Sequence, residues 1–347
     1  MKKRIVIIGA GAVGGYVGGQ LARVGENILL IDPWPEHINC INRDGLHLSS
    51  PVETYTVEVP GIHLHEVQRL SKTPVDIAII ATKSYDTEWA VAMIKEYLKP
   101  DGFVVSLQNS INEERIAGIV GYGKTVGCIA SGISVDAYEA GHIMRTVKPG
   151  SKSHIVFRVG EVHGRITQRV KDLAEMLSVV DGTKVTTNLW GERWTKLVVN
   201  CMHNAVSAVT GLNGRMIAEQ EAPRRLSIRL GCETIKVGKA LGYDIETIRG
   251  MTVEKLLAAG EGETGALKEI EIIIAESAKY RTEAGRPSTA QDILKGRRTE
   301  IDFLNGLVVQ KGRAAGLATP LNEAITALVK RLENGELKPQ PGNISGL

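Results

Sequence analysis

Three polar side chains recur every fourth residue along one apolar stretch, and they are the best candidates for chemistry. They are Lys196, Asn200 and Asn204. On a helix this spacing places all three on one face, and burying such a face is costly unless it meets a partner. A lysine that lines a closed cleft can serve as a general acid. The spacing therefore predicts a site for proton transfer, although a solvent-exposed polar face has the same spacing.

A glycine-rich segment near the N-terminus matches the pattern G-x-G-x-x-G. It consists of Gly9, Ala10, Gly11, Ala12, Val13 and Gly14. It follows the apolar run 4–8 and opens a predicted helix over residues 13–23. In that context the first glycine permits a tight turn, the second lets backbone N–H groups approach a pyrophosphate, and the third allows close helix packing. The pattern predicts a dinucleotide site; the alternative is a purely structural turn.

The choice of dinucleotide depends on Asp32, which ends the second predicted strand over residues 27–31. A carboxylate there can accept hydrogen bonds from the adenosine ribose hydroxyls, and it would repel a 2′-phosphate. The next five residues, 33–37, contain no lysine or arginine. We therefore favour NAD over NADP. The alternative is that Asp32 only caps the turn before Pro33.

Two further loops follow predicted strands at the sheet edge where open α/β folds bind ligands. Lys83 follows the strand predicted over residues 76–81, and Asn109 follows the strand predicted over residues 102–107. We expect Lys83 to reach the cofactor or a substrate carboxylate. The amide of Asn109 is suited to the nicotinamide ribose or to a catalytic side chain. Either residue could instead be a solvated loop residue.

A last group of polar residues lies near the C-terminus. Ser288 stands near a predicted helix start, where its hydroxyl would be free, and Glu300 is expected inside a helix predicted over residues 292–313, among apolar neighbours. A solvated, charged helix face has the same pattern.

The elements that must position these residues fall into two classes. The first half alternates β-branched runs with helical spacing, which is typical of βαβ units and a parallel sheet. From Gly191 onward the strand signals stop and apolar residues recur at helical spacing. We predict an α/β, Rossmann-type doubly wound parallel sheet over residues 1–188, an all-helical C-terminal domain over residues 189–335, and a loose tail over residues 336–347.

Composition excludes several classes of function. The 347 residues include 42 Lys+Arg and 39 Asp+Glu, so the net charge of +3 gives no basic field for nucleic acid. The four cysteines are scattered without the paired spacing of a zinc site or a disulfide framework. No apolar run approaches the length of a membrane span. We expect no metal and no membrane, and a cytoplasmic location.

Together these motifs resemble the ketopantoate reductase family, the 2-dehydropantoate 2-reductases. The resemblance rests on the glycine-rich segment, Thr82-Lys83, Leu107-Gln108-Asn109, the helix with Lys196, Asn200 and Asn204, and the stretch from Ser288 through Asp292 and Thr299-Glu300-Ile301-Asp302 to Gly306. It implies a Rossmann domain, a helical domain and a substrate cleft between them. It also implies hydride transfer from a reduced nicotinamide to the C2 carbonyl of a 2-oxo acid, while Lys196 protonates the developing alkoxide.

The resemblance assigns the remaining site residues as well. Glu300 would orient the cofactor ribose and the lysine, and Lys83 would lie beside the cofactor. Asn109 and Asn200 would bind substrate or hold Lys196. Ser288 would contact the substrate carboxylate or hydroxyl, and Asn204 would complete the substrate-binding set. Independently of the resemblance, the apolar helical faces of the second domain would suit a homodimer, although a helix can bury the same face within its own chain.

The chain departs from the family at three places. Asp32 stands where NADP-dependent members carry a basic residue, Ser110 replaces the glycine of the common Leu-Gln-Asn-Gly, and the segment 253–286 is longer and more charged. NADP remains possible from the family. Two alternatives follow: an NAD-dependent 2-hydroxy-acid dehydrogenase similar to the D-mandelate dehydrogenases, and a non-catalytic NAD(H) sensor.

Overall fold

The computed structural model describes residues 2–149, 154–279 and 285–347. The chain divides into two compact units, Met1–Leu189 and Trp190–Leu347. The first is built on a largely parallel sheet and the second is helical, so the predicted fold class is confirmed.

Twelve strands lie in the described part of the first unit. They are β1 (Arg4–Ile8), β2 (Asn27–Asp32), β3 (Leu46–Ser49), β4 (Thr54–Val57), β5 (Gly61–His63), β6 (Val75–Ile80), β7 (Leu98–Ser106), β8 (Thr125–Ala130), β9 (Val135–Glu139), β10 (His142–Arg145), β11 (Phe157–Glu161) and β12 (Thr183–Val185). Its helices are α1 (Ala12–Arg23), α2 (Pro35–Asp44), α3 (Thr87–Lys95), α4 (Glu113–Val120) and α5 (Gln168–Leu177).

Eight strands form one sheet in the order β12-β11-β8-β7-β6-β1-β2-β5. From β5 to β8 this is the strand order of a doubly wound dinucleotide-binding fold, in which ligands bind at the carboxyl ends of the strands. All neighbouring pairs are parallel except β8 and β11. The strands β1 and β6 are almost wholly apolar, as expected for strands covered on both faces.

A second sheet, in the order β4-β3-β10-β9, packs against the other side of α1. Sequence patterns did not predict it. Two glycines of α1 allow the helix to lie between the sheets. A Cβ on Gly18 would come within 2.7 Å of Leu30 of the large sheet, and one on Gly19 within 2.8 Å of Leu48 of the small sheet. Larger side chains at these positions would separate the layers.

The second unit contains the helices from α6 onward, with α6 starting at the last residue of the first unit. They are α6 (Leu189–Thr210), α7 (Gly214–Glu219), α8 (Glu221–Ala240), α9 (Val253–Gly260), α10 (Thr264–Ala278), α11 (Ser288–Leu294), α12 (Asn305–Ala314) and α13 (Pro320–Glu333). The buried Trp194 of α6 donates its indole N–H to the carbonyl oxygen of Thr234 at 2.8 Å. Because Gly238 has no side chain, α8 lies directly against this indole.

The single helix predicted over residues 292–313 is wrong. The structure ends α11 at Leu294 and places only a short 3₁₀ turn at Ile301–Phe303 before α12 begins. Thr299 explains the interruption, because its backbone N–H and its hydroxyl both bond to Oε1 of Glu333, at 2.7 and 2.5 Å. Glu300 is therefore not inside a helix; it directly precedes the 3₁₀ turn.

The predicted C-terminal tail also differs from the structure. The tail predicted as loose contains a 3₁₀ turn at Pro341–Ile344, and Ile344 packs into the apolar cluster that contains Val209. In the segment 253–286, residues 261–263 separate α9 from α10. Residues 280–284 of the segment 253–286 lie outside the described residues.

A buried ion pair holds α5 to the end of β11. Glu161 is fully buried and accepts hydrogen bonds from Arg169 Nε and Nη2, at 2.7 and 2.5 Å, and from the Thr167 hydroxyl at 2.5 Å. Burial by itself would raise the pKa of Glu161, but the bonds from Arg169 and Thr167 outweigh it and keep that pKa below its ordinary value. The pair therefore stabilises the fold above the ordinary glutamate pKa, and this contribution disappears as the pH falls through the lowered value.

We predict that Arg169→Leu lowers the free energy of unfolding by about 3–5 kcal/mol near neutral pH, because it leaves a buried carboxylate without its cation. The loss should be smaller near pH 5, where the Glu161 carboxylate that has lost Arg169 can bind a proton. Urea denaturation at both pH values measures this. Arg69→Leu is the control, since Arg69 pairs with Glu66 at the surface and should contribute less than about 1 kcal/mol. Equal effects of the two substitutions would contradict this interpretation.

Candidate active site

The glycine-rich turn, residues 9–14, connects β1 to α1. Gly9 has a φ of +94°, and a Cβ there would lie 2.8 Å from the backbone of Ala81 and Thr82. A Cβ on Gly14 would lie 2.0 Å from the carbonyl oxygen of Gly9. A Cβ on Gly11, in contrast, would meet none of the described atoms within 4 Å. The outer glycines are required by close packing, and the middle one leaves an open cradle at the start of α1 that fits a pyrophosphate.

Asp32 connects this turn to the end of β2. Its Oδ2 accepts a hydrogen bond from Ala10 N–H at 2.8 Å, and its Oδ1 accepts one from Trp34 N–H at 2.9 Å. The carboxylate is 8% exposed. It therefore does cap the turn before α2.

His37 is a residue of this site that sequence reasoning missed. It is 1% exposed, and its Nε2 lies 2.9 Å from the carbonyl oxygen of Ala10. Its Nδ1 accepts from Gly141 N–H at 2.9 Å. Because a backbone N–H can only donate, the ring proton must be on Nε2. The partners lie 27 and 104 residues away along the chain, so no local pattern could have indicated this role.

The loops that carry Lys83 and Asn109 are bonded to each other. The side-chain amide of Gln108 donates to Thr82 O and to Thr87 Oγ1, both at 2.9 Å. The carbonyl oxygen of Asn109 accepts from the Ser84 hydroxyl at 3.2 Å. The structure thus brings these two loops together at the carboxyl ends of β6 and β7, the edge that also holds the glycine-rich turn.

Ser110 adopts the backbone conformation that a glycine would favour. Its φ is +69°, one of only three positive φ values among the described non-glycine residues. The loop after Asn109 therefore keeps the left-handed shape even though serine replaces glycine, at a cost of about 1 kcal/mol.

The polar stripe, defined as Lys196, Asn200 and Asn204, lies on the long helix α6 of the second unit. Asn200 is 4% exposed and Asn204 is 8% exposed, whereas Lys196 is half-buried. The Nδ2 atom of Asn200 is buried and has no hydrogen-bond partner among the described residues. An unpaired buried amide destabilises a protein by about 1–3 kcal/mol, and it is a donor available to a ligand.

The segments that carry Ser288 and Glu300 lie against the same helix. Asn305, at the start of α12, donates from Nδ2 to the carbonyl oxygen of Cys201 at 3.5 Å. Ile301 and Ala290 belong to the apolar cluster that contains Ala205 of α6. Ser288 is the first residue of α11, and Glu300 is 3% exposed. The second unit therefore gathers its predicted site residues around α6.

The described residues contain no cluster of three or more His, Cys, Asp or Glu side chains placed to hold a metal ion. The four cysteines are free thiols, and burial raises the pKa of Cys201 to about 12. None of the described helices is long and apolar enough to cross a membrane.

Two family models match the chain. The model for ketopantoate reductase PanE/ApbA matches residues 5–153, and the model for the C-terminal part of the same enzymes matches residues 188–333. The chain belongs to the ketopantoate reductase family. This confirms the resemblance inferred from the motifs, and it makes the protein an oxidoreductase of a nicotinamide-dependent family.

Individual members of the family are similar over almost their whole length. The 2-dehydropantoate 2-reductase of Pyrococcus horikoshii is 28% identical over 342 residues, which cover 95% of this chain and 98% of the relative. The crystal structure of a PanE/ApbA family ketopantoate reductase from Ralstonia eutropha JMP134 is 26% identical, with a TM-score of 0.78, and covers 96% of this chain and 99% of that chain.

A D-mandelate dehydrogenase solved with NADH and anilino(oxo)acetate shares the fold. Its TM-score is 0.80, its identity is 24%, and the match covers 96% of this chain and 98% of that chain. The fold alone therefore does not separate ketopantoate reductases from this dehydrogenase.

We predict opposite effects of Asn200→Leu on stability and on activity. The protein without ligand should unfold at the same temperature or higher, since the substitution removes an unpaired buried amide. Reduction of a 2-oxo acid should show a KM raised at least about tenfold, because a ligand would lose a hydrogen bond in a buried site. Differential scanning fluorimetry and steady-state kinetics measure the two effects.

Asn213→Leu is the matched control for stability. Asn213 is buried like Asn200, but its side chain accepts a hydrogen bond from Met216 N–H at 2.9 Å and caps α7. Its loss should lower the free energy of unfolding by about 0.5–2 kcal/mol. If Asn200→Leu destabilises the protein as much as Asn213→Leu does, the Asn200 amide is a structural group and not a ligand donor.

Proposed function

We propose that the protein is a 2-oxo acid reductase that converts 2-dehydropantoate to pantoate with a reduced nicotinamide cofactor. The observation that carries this proposal is the buried, unpaired Asn200 amide on the same helix face as Lys196. A protein that only senses the cofactor has no need for a buried amide donor on the same helix face as a lysine. The polar stripe therefore favours catalysis over sensing.

The first unit would hold the cofactor. The glycine-rich turn would bind the pyrophosphate through its backbone N–H groups, and Asp32 would accept hydrogen bonds from the adenosine ribose. Lys83 and Asn109 lie on loops at the same sheet edge and would contact the nicotinamide half. When bound, the reduced nicotinamide would supply a hydride to the C2 carbonyl carbon of the substrate.

Lys196 would supply the proton. As the carbonyl oxygen gains negative charge, an ammonium group beside it stabilises that charge and then transfers a proton to the alkoxide. Asn200 would hold the substrate through its Nδ2 donor, and Asn204 would extend the same binding face. Ser288 would donate its hydroxyl to the substrate carboxylate.

Glu300 and Asn109 would orient the reacting groups. A carboxylate that binds an ammonium group fixes its position, and a carboxylate can also accept hydrogen bonds from ribose hydroxyls. We therefore assign Glu300 to the lysine and the nicotinamide ribose, and Asn109 to the substrate or to Lys196.

NAD is the cofactor that the end of β2 favours. Asp32 accepts two backbone N–H groups, and its carboxylate would repel a 2′-phosphate. The first lysine or arginine after it is Arg43, in the last turn of α2, about 12 Å along the helix from Pro35. Arg43 is exposed and pairs with Asp44 at 2.5 Å.

The same observation supports a second candidate, an NAD-dependent 2-hydroxy-acid dehydrogenase that works in the oxidative direction. The related D-mandelate dehydrogenase was solved with NADH. In that direction Lys196 would act as the base that accepts the hydroxyl proton.

Replacement of Lys196 should separate binding from chemistry. We predict that Lys196→Ala lowers kcat by about 10²- to 10⁴-fold, since a general acid contributes that much, while the affinity for NADH stays within about twofold. Stopped-flow reduction kinetics and fluorescence titration with NADH measure the two quantities. Lys239→Ala, at an exposed position of α8, is the control and should change neither. A kcat within threefold of the wild-type value would remove Lys196 from the proposed mechanism.

A cross of cofactors and substrates tests the assignment itself. Consumption of NADH and NADPH is followed by absorbance with ketopantoate, 2-oxoisovalerate and benzoylformate. We expect ketopantoate to have the highest kcat/KM, and NADH to exceed NADPH. A preference for NADPH would contradict the role given to Asp32. Turnover of benzoylformate alone would support the 2-hydroxy-acid dehydrogenase, and binding of NADH without any turnover would support a sensor.

A further inference from the structure

Trp34 lies next to the carboxylate that is proposed to hold the adenosine ribose. It directly precedes α2, and its backbone N–H donates to Asp32 Oδ1 at 2.9 Å. Its side chain is half-buried. This hydrogen bond fixes the backbone of Trp34 relative to Asp32, which lies two residues earlier in the sequence.

The orientation of the indole is fixed by His37. The two rings are stacked with their centroids 5.1 Å apart and an angle of 8° between their planes. His37 is itself held at both nitrogens, by Ala10 O and by Gly141 N–H. The backbone of the glycine-rich turn, the small sheet and the indole plane thus form one connected arrangement.

His37 stacks on one face of the indole, and the Trp34 side chain as a whole remains half-buried, so part of it stays accessible to solvent. The indole is held in a fixed plane two residues after Asp32, whose carboxylate bonds to the glycine-rich turn. Aromatic faces of this kind bind nucleobases by stacking, and every base has a π-face that can take part.

We propose that the face of the Trp34 indole opposite His37 is the platform on which the adenine of the dinucleotide stacks. This inference rests on the proposed function. Adenine is joined to the ribose by a single glycosidic bond. When Asp32 binds the ribose hydroxyls, the adenine therefore lies within reach of the indole. In this arrangement the Asp32 carboxylate binds the ribose of the adenosine and the Trp34 indole binds its adenine.

The platform also bears on cofactor choice. Trp34 adds affinity for the base without adding positive charge, so it strengthens the binding of NADH and NADPH to the same extent. It leaves the discrimination against the 2′-phosphate to Asp32. The substitution of Trp34 should therefore weaken both cofactors and leave the ratio of their affinities unchanged.

The test uses two half-ligands and isothermal titration calorimetry. ADP-ribose contains the adenine, and reduced nicotinamide mononucleotide lacks it. We expect Trp34→Ala to weaken ADP-ribose binding about 10- to 100-fold and to leave the mononucleotide within twofold. Trp34→Phe retains an aromatic face, so its ADP-ribose affinity should stay within about threefold of the wild-type value.

Tryptophan fluorescence gives a second readout. It reports on the surroundings of the indole itself, and not on activity or on an affinity constant. ADP-ribose should quench part of the wild-type emission, and this quenching should be lost in Trp34→Phe although the ligand still binds. Trp89→Phe is the matched control. Trp89 is 39% exposed on α3 of the same unit, and its indole N–H bonds to Asp86. This control should keep the quenching.

The outcomes separate the two levels of inference. If ADP-ribose does not bind the wild-type protein, the proposed dinucleotide function fails. If it binds and Trp34→Ala has the wild-type affinity, only the platform is overturned. If Trp34→Ala weakens the mononucleotide as much as ADP-ribose, Trp34 acts by holding the glycine-rich turn in place, and this too overturns the platform.

Discussion

The carboxylate of Asp32 joins three separate pieces of backbone. One oxygen accepts Ala10 N–H of the glycine-rich turn, and the other accepts Trp34 N–H at the start of α2. Because Asp32 is also the last residue of β2, these two bonds fix the turn, the strand and the helix relative to one another. The open cradle at Gly11 and the plane of the Trp34 indole both depend on this arrangement. The proposed nucleotide site is therefore held together by hydrogen bonds within the protein itself.

The parts of this arrangement that sequence could predict are those with local causes. The spacing of the glycines, the apolar run of β1 and the position of Asp32 at the end of β2 each express a requirement met within a few residues. The polar stripe of α6 follows from a helical repeat. These features carried the prediction of the fold class and of the family, and both are confirmed.

The features that sequence did not indicate depend on contacts between distant residues. His37 bonds to Gly141 across 104 positions, and the small sheet pairs β3 with β10 in the same way. The helix expected around Glu300 is interrupted because Thr299 bonds to Glu333, 34 residues away. In each case a tertiary hydrogen bond outweighs the local preference of the chain. Glu300 is positioned by that interruption, so its place could not be read from helical periodicity.

The edges of the large sheet have a consequence for the behaviour of the protein at high concentration. The sheet ends in β5 on one side and β12 on the other, and each strand has only three residues. A long open edge exposes a row of N–H and C=O groups that another chain can pair with, which leads to aggregation. Strands of three residues offer too few such groups to hold a second chain in register. An eight-stranded sheet can thus remain open without recruiting further copies of itself.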